Sequence, residues 1–201
     1  MKNSEYDYNG SEKYCYPGSD VLINKLGIRD EKTLLIAERE ITSVKILMLY
    51  NTGNIYNLDF KNLCKIHQII FEDIYEWAGH IRHGDFLSKG NSIFCRGKFI
   101  VDNANKIMKN LLNENYLKRL NKERFIERMA FYMGELNALH PFREGNGRTL
   151  REFFRQLSLN ANYVLDFSKI QKEELLIADI EAFNGEYDNL MKILSEAVRS
   201  K

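Results

Sequence analysis

Apolar residues recur with helical spacing along most of this chain. Leu34, Ala37, Ile41, Val44 and Met48 form a first series behind Asp30, a residue type that caps helix N-termini. A turn is expected over 51–57. Asp59 opens a second series, Leu63, Ile66, Ile70, Ile74 and Trp77, and Gly79 is the expected stop. The spacing returns over 102–116 and over 122–139, where Phe125, Met129, Tyr132 and Leu136 share a face. It resumes through Leu150, Phe154 and Leu157. Ser168 and Gln171 match a capping box for another helix, and a last helix is expected over 186–198. Two regions break the pattern. Residues 1–29 are rich in Tyr, Gly, Asn and Ser and read as an irregular arm. Residues 80–97 place Gly84 and Ser88-Lys89-Gly90-Asn91 between short extended pieces, the pattern of a surface hairpin or flap. The sum predicts an all-α helical bundle, one domain over 30–201 behind an arm of 1–29, with one small β-hairpin flap.

Composition narrows the function classes. A 201-residue chain that is 44% hydrophobic is large enough to bury a substantial core. Lys and Arg total 29 against 28 Asp and Glu, so no global basic field points to nucleic acid. No apolar run of about 18 residues suggests a membrane span, and the opening MKNSEYDYNGSEKY lacks the apolar stretch of a signal peptide. Cys15, Cys64 and Cys95 form no CxxC pair, so they read as buried or incidental thiols of a reducing compartment. The expected location is the cytoplasm, with export that needs no cleavable signal left open. Gly90 to Gly97-Lys98 fails the spacing of a phosphate-binding P-loop, and no HExxH zinc motif occurs.

The segment that carries chemistry is His140-Pro141-Phe142-Arg143-Glu144-Gly145-Asn146-Gly147-Arg148-Thr149-Leu150-Arg151, between two helices. Gly145 and Gly147 allow a sharp bend and close approach to a ligand. The following helix offers unpaired N–H groups and the positive end of its dipole, an anion cradle. Arg148 and Arg151, three apart, project from one face of its first turn, and two guanidinium forks suit a polyphosphate. A carboxylate at Glu144 would repel that ligand unless Mg²⁺ bridged the two. His140 is the nearby side chain able to accept a proton near neutral pH. Asn146 adds an amide able to donate to a phosphate oxygen. Those are the parts of a phosphoryl- or nucleotidyl-transfer site.

This segment resembles the Fic motif, HxFx(D/E)GNGRxxR, at every fixed position. Ile66 to Phe71, Ile74 to Gly79 and Arg82 are similar to the helix that precedes the flap in Fic proteins, and Ser88 to Phe94 resemble the flap itself. Tyr14 to Gly18 and Leu26-Gly27-Ile28 are similar to Fic modules of bacterial toxins and secreted effectors. The resemblance implies transfer of AMP from ATP to a hydroxyl side chain of a target protein, with release of pyrophosphate. By similarity, His140 deprotonates the target hydroxyl, Glu144 binds Mg²⁺, and Gly145, Asn146 and Gly147 hold the α/β-phosphate region. Arg148 and Arg151 hold the β- and γ-phosphates. The flap residues Ser88, Asn91, Ser92, Ile93 and Phe94 dock the target by strand addition. Lys89 and Gly90 are candidates for touching nucleotide or target, and Gln156 for facing the adenine. Intact Gly147 and Arg148 favour AMP transfer over the phosphorylating Doc branch.

Many Fic proteins are silenced by a helix carrying (S/T)xxxE(G/N). Here only Glu114-Asn115 and Glu144-Gly145 place Glu before Asn or Gly, and Asn110 and His140 stand four residues earlier. The resemblance therefore implies the class I type, a toxin whose small antitoxin partner offers a Glu to Arg151. DNA gyrase and topoisomerase IV are expected targets by the same similarity. The alternatives are a secreted effector acting on host proteins and a non-catalytic Fic adaptor that binds through its flap.

Overall fold

The computed structural model describes residues 6–8, 13–52, 57–84, 86–89 and 92–201. Helix α1 spans Glu31–Thr52 and α2 Phe60–Phe71, followed by α3 at Ile100–Asn113, α4 at Lys122–Leu139, α5 at Asn146–Asn160, α6 at Lys172–Phe183 and α7 at Asp188–Ala197. Asp30 and Asp59 accept backbone N–H groups at the starts of α1 and α2, from Thr33 at 2.9 Å and Asn62 at 2.7 Å. These are the local bonds their side chains favour over helix interior positions. Helix α4 runs through the core: Phe125, Met129, Ala130, Tyr132 and Leu136 are fully buried, with α3, α5, α6 and α7 around it. Gly134 permits the approach of α6 and the following loop, since a Cβ there would stand 2.9 Å from the Tyr187 ring and 3.2 Å from the Ala182 carbonyl. Among the described residues no helix is long and apolar enough to cross a membrane.

The helical bundle matches the expectation, and several details correct it. Helix α2 stops at Phe71, eight residues before Gly79. The Gly79 N–H donates to the Nδ1 of His67 at 2.7 Å, so a buried side-chain bond folds the chain back along α2 in place of further helical turns. Ile74 and Trp77 keep helical spacing yet pack from turns. Helix α3 ends at Asn113, because Asn115, Tyr116 and Leu117 adopt left-handed backbone. The capping box at Ser168 is absent. Asp166 takes both the N–H and the hydroxyl of Ser168, and Gln171 starts α6 without a side-chain cap bond. The buried face of α1 also differs in phase: Leu34, Glu38, Thr42 and Leu49 are buried, while Val44 and Met48 are more than half exposed.

There is more sheet than one hairpin. Strand β1 (Tyr6–Tyr8) pairs antiparallel with β2 (Leu87–Lys89), which pairs with β3 (Ser92–Ile93). The expected irregular arm thus supplies an outer strand to the flap. It also packs Tyr14 into the domain, where the Tyr14 hydroxyl accepts from the His83 N–H at 2.8 Å. A second small sheet joins β4 (Tyr163–Leu165) to β5 (Val198–Ser200), so the last helix gives way to strand at Val198. Gly90 and Asn91 of the flap, and most of the turn expected over 51–57, lie outside the described residues.

Candidate active site

The site is built where α4 ends and α5 begins. His140 caps α4 in the left-handed region, at φ 44° and ψ 62°, and this turns the chain into the loop. Its ring lies flat against Phe94, which follows β3, with centroids 3.9 Å apart. The His140 carbonyl accepts from Arg82 Nε at 2.9 Å, and Arg82 Nη2 also donates to the Cys95 carbonyl. The Cys95 N–H in turn donates to the Ala138 carbonyl at 3.0 Å. Arg82 and Cys95 therefore tie the flap's exit to the end of α4, and the two places meet although they are distant in sequence.

The loop is braced from inside. Asn146 closes it, accepting from the Phe142 N–H and donating to the Phe142 carbonyl, both at 2.9 Å. The Phe142 ring stacks on His67 at 3.9 Å. Because His67 Nδ1 accepts from Gly79, its proton is on Nε2, which donates to the Glu144 carbonyl at 3.0 Å. Burial holds that imidazole neutral, with its pKa pushed down to about 3. Gly145 is required twice over. Its φ is +82°, and a Cβ would stand 2.2 Å from the Phe71 ring.

Helix α5 begins at this glycine with no side-chain cap. The Thr149 N–H is the first to find a helical acceptor, the Gly145 carbonyl at 3.1 Å, so the preceding N–H groups open toward the loop. Arg148 reaches back to α1: its Nη2 lies 2.6 Å from Glu38 Oε1 and 3.6 Å from Glu144 Oε1. Burial, then the nearby Arg148 charge, lowers the Arg151 pKa, while Asp179 of α6 and Tyr50 of α1 oppose that fall. Burial, then the Glu38 charge, raises the Glu144 carboxyl, although the Gly145 N–H at 2.8 Å and Arg148 favour its charged form. A cation beside Glu144 would relieve that cost. Among the described residues no cluster of three or more metal-ligating side chains exists. A hard cation that shares one carboxylate with ligand phosphates and water, as Mg²⁺ does, fits this donor set.

Residues 57–158, about half of the chain, match the Fic/DOC family. The chain belongs to that family. It is 39% identical over 188 residues to the protein adenylyltransferase VbhT of Bartonella schoenbuchensis, covering 93% of this chain and 39% of that protein. It is 36% identical to the probable protein adenylyltransferase Fic of Escherichia coli, with 94% of this chain and 93% of that protein covered. The fold superposes on BepC of Bartonella tribocorum, a VirB-translocated effector protein solved with AMPPNP, at a TM-score of 0.88 and 28% identity, covering 94% and 98% of the two chains. A Fic domain of Bartonella quintana with bound ADP gives 0.89 at 26%, covering 94% and 96%.

Within this Fic domain the structure gathers His140, Glu144, Gly145, Gly147, Arg148 and Arg151 at one end of α5. Asn146 is there too, 3% exposed and spent chiefly on the loop. In the flap, Ser88 is buried, Ser92 lies in the β3 edge strand, Ile93 is 61% exposed, and the Lys89 backbone pairs with Ser92. Gln156 requires a correction. It is 1% exposed, donates to Glu152 at 2.8 Å and accepts from Asn62 at 3.5 Å, so it faces the core rather than an adenine. Glu38, Asp179 and His67 also stand at this site and are not among the residues predicted from the sequence. Nothing in the local pattern marks them, since α1, α2 and α6 each carry other charged side chains.

Proposed function

We propose that the protein is an ATP-dependent protein adenylyltransferase. The observation that carries this is the convergence of His140, Glu144, an uncapped helix start and two guanidinium groups, in a chain similar over nearly its whole length to proteins named adenylyltransferases. A target hydroxyl attacks the α-phosphorus of ATP. The new O–P bond forms as the bond from the α-phosphorus to the bridging oxygen breaks, and pyrophosphate leaves. The hydroxyl proton passes to His140, whose ring is held in place by Phe94. The α5 N–H groups, Arg148 and Arg151 take up charge that grows on the phosphate oxygens. Glu144 would hold Mg²⁺, which supplies charge neutralisation on the phosphates when bound.

The target docks on the flap edge. Phe94 N–H donates to the Leu87 carbonyl at 3.0 Å, and Ser88 faces Ile93. By the alternation of antiparallel pairs, the N–H and C=O of Ile93 point away from β2, toward an incoming strand. With β1 on the other side of β2, β3 is the edge nearest His140. Regulation follows the class I pattern, a separate antitoxin offering a Glu to Arg151. In support, Glu114, the one other Glu before Asn or Gly, is engaged with Arg128 at 2.6 Å. Such a toxin acts in the cytoplasm, with DNA gyrase and topoisomerase IV as targets. Similarity to VirB-translocated effectors supports delivery into a host cell as the second reading.

Incubation with bacterial lysate, Mg²⁺ and ATP labelled at either the α- or the γ-phosphate tests this. Label from the α-phosphate alone, lost in His140→Ala, is the expected result. Label from the γ-phosphate alone would mean phosphorylation, and label from neither would leave the adaptor.

A further inference from the structure

We propose that Glu38, on α1, is the positioning residue that aims Arg148 at the ligand's phosphates. This rests on the phosphate-handling reading of the site but not on ATP as the donor. Glu38 is 6% exposed and Thr42, one turn later, 2%. Both sit on the inner face of a helix whose apolar residues Val44, Leu47 and Met48 are left outside. A buried carboxylate is costly unless it is paired and hydrogen-bonded, so this inversion of the usual pattern requires a partner. That partner is Arg148. Its Nη2 donates to Glu38 Oε1 at 2.6 Å and its Nη1 to the Thr42 hydroxyl at 3.3 Å. The guanidinium carbon lies 4.7 Å from the centre of the Phe71 ring. Tyr75, 1% exposed, fixes the carboxylate from behind by donating to Oε2. The guanidinium is thus gripped along one edge and packed on one face before any ligand arrives. A long, flexible side chain held this way loses less freedom when it meets a phosphate. Glu144, 3.6 Å from the same nitrogen, competes for it. Once Glu144 turns to a cation, Glu38 remains as the anchor.

The test is a double-mutant cycle on the whole chain, read by calorimetric binding of Mg-pyrophosphate. That probe carries the phosphates without the nucleoside, so a failed AMP-transfer assay leaves the cycle intact. Glu38→Gln is expected to weaken binding about 10-fold in the native background and less than about 2-fold beside Arg148→Lys. Melting temperatures of all variants separate lost fold from lost aim. If Glu38→Gln does not fold, Tyr75→Phe takes its place in the cycle, with the same non-additivity expected. Equal losses in both backgrounds would show that the residue acts independently of Arg148 and would overturn the proposal. So would unchanged binding, tighter binding from a pair that competes with phosphate, or no pyrophosphate binding by the unmodified chain.

Discussion

The first turn of α5 has two neighbours, and they treat its arginines differently. On the α1 side, Arg148 meets Glu38 at 2.6 Å, the Thr42 hydroxyl and the Phe71 ring. Toward α6, burial and the neighbouring Arg148 both lower the Arg151 pKa, and Asp179, with Tyr50 of α1, opposes that fall. The Asp179 carboxyl is itself pushed up to about 6 by burial, only partly offset by Arg151. One side is a closed, matched pair and the other a half-buried, less matched one. A matched pair fixes geometry, whereas a desolvated cation with incomplete compensation is the better place for an incoming anion.

Removing Arg148 is the most severe test of that contrast. Arg148→Ala strands the buried Glu38 carboxylate. Breaking such a pair from one side costs about 4 kcal/mol, so urea unfolding should show a large loss of stability besides any loss of activity. A change under about 1 kcal/mol would place the pair among exposed salt bridges and erase the contrast.

The α6 side carries its own pH signature. Asp179 binds its proton more tightly in the folded chain, at about 6, than at its ordinary 3.8. Between those values the folded state holds the extra proton, so this group's contribution to stability falls as pH rises from about 4 to about 6 and stays lost above that. The full effect is at most about 3 kcal/mol. His67, held neutral at about 3 against an ordinary 6.5, works in the opposite sense. The difference between the unmodified chain and Asp179→Asn is therefore the readout. The variant should gain stability relative to the parent as pH rises from 4.5 to 7.5. A constant difference across that range would mean that Asp179 titrates normally.

The same contrast separates what could be read from the sequence from what could not. The loop and the first turn of α5 were legible because base, carboxylate, glycines and arginines lie within twelve consecutive residues. Glu38 was not. Helix α1 carries apolar residues around its circumference, and the series through Val44 and Met48 is as regular as the one actually buried. The partners of its buried carboxylate are Tyr75 and Arg148, the latter 110 residues away, and no local pattern holds that information. Gln156 failed for the converse reason: its polarity suggested a ligand, and the structure supplies Glu152 instead. The stop of α2 depends on a bond from Gly79 to His67, and the β4–β5 pair on three-residue strands too short to show alternation.

The last prediction concerns Arg151, where the effect falls on ligand rather than fold. The guanidinium is partly desolvated and stands beside another cation, so Arg151→Ala removes a half-buried charge without stranding a close carboxylate partner of the Glu38 kind. Its melting temperature should stay level or rise. Binding of Mg-ATP should nonetheless weaken, because a charged hydrogen bond to phosphate contributes about 1.5–3 kcal/mol, or roughly 10- to 100-fold in Kd. Calorimetry and a melting curve on the same preparation check both halves. The pattern is the reverse of the large stability loss expected for Arg148→Ala, and that reversal is what the geometry demands. If the two variants lost stability alike, the α6 side would be as tightly paired as the α1 side, and Arg151 would be another anchor rather than a waiting anion site.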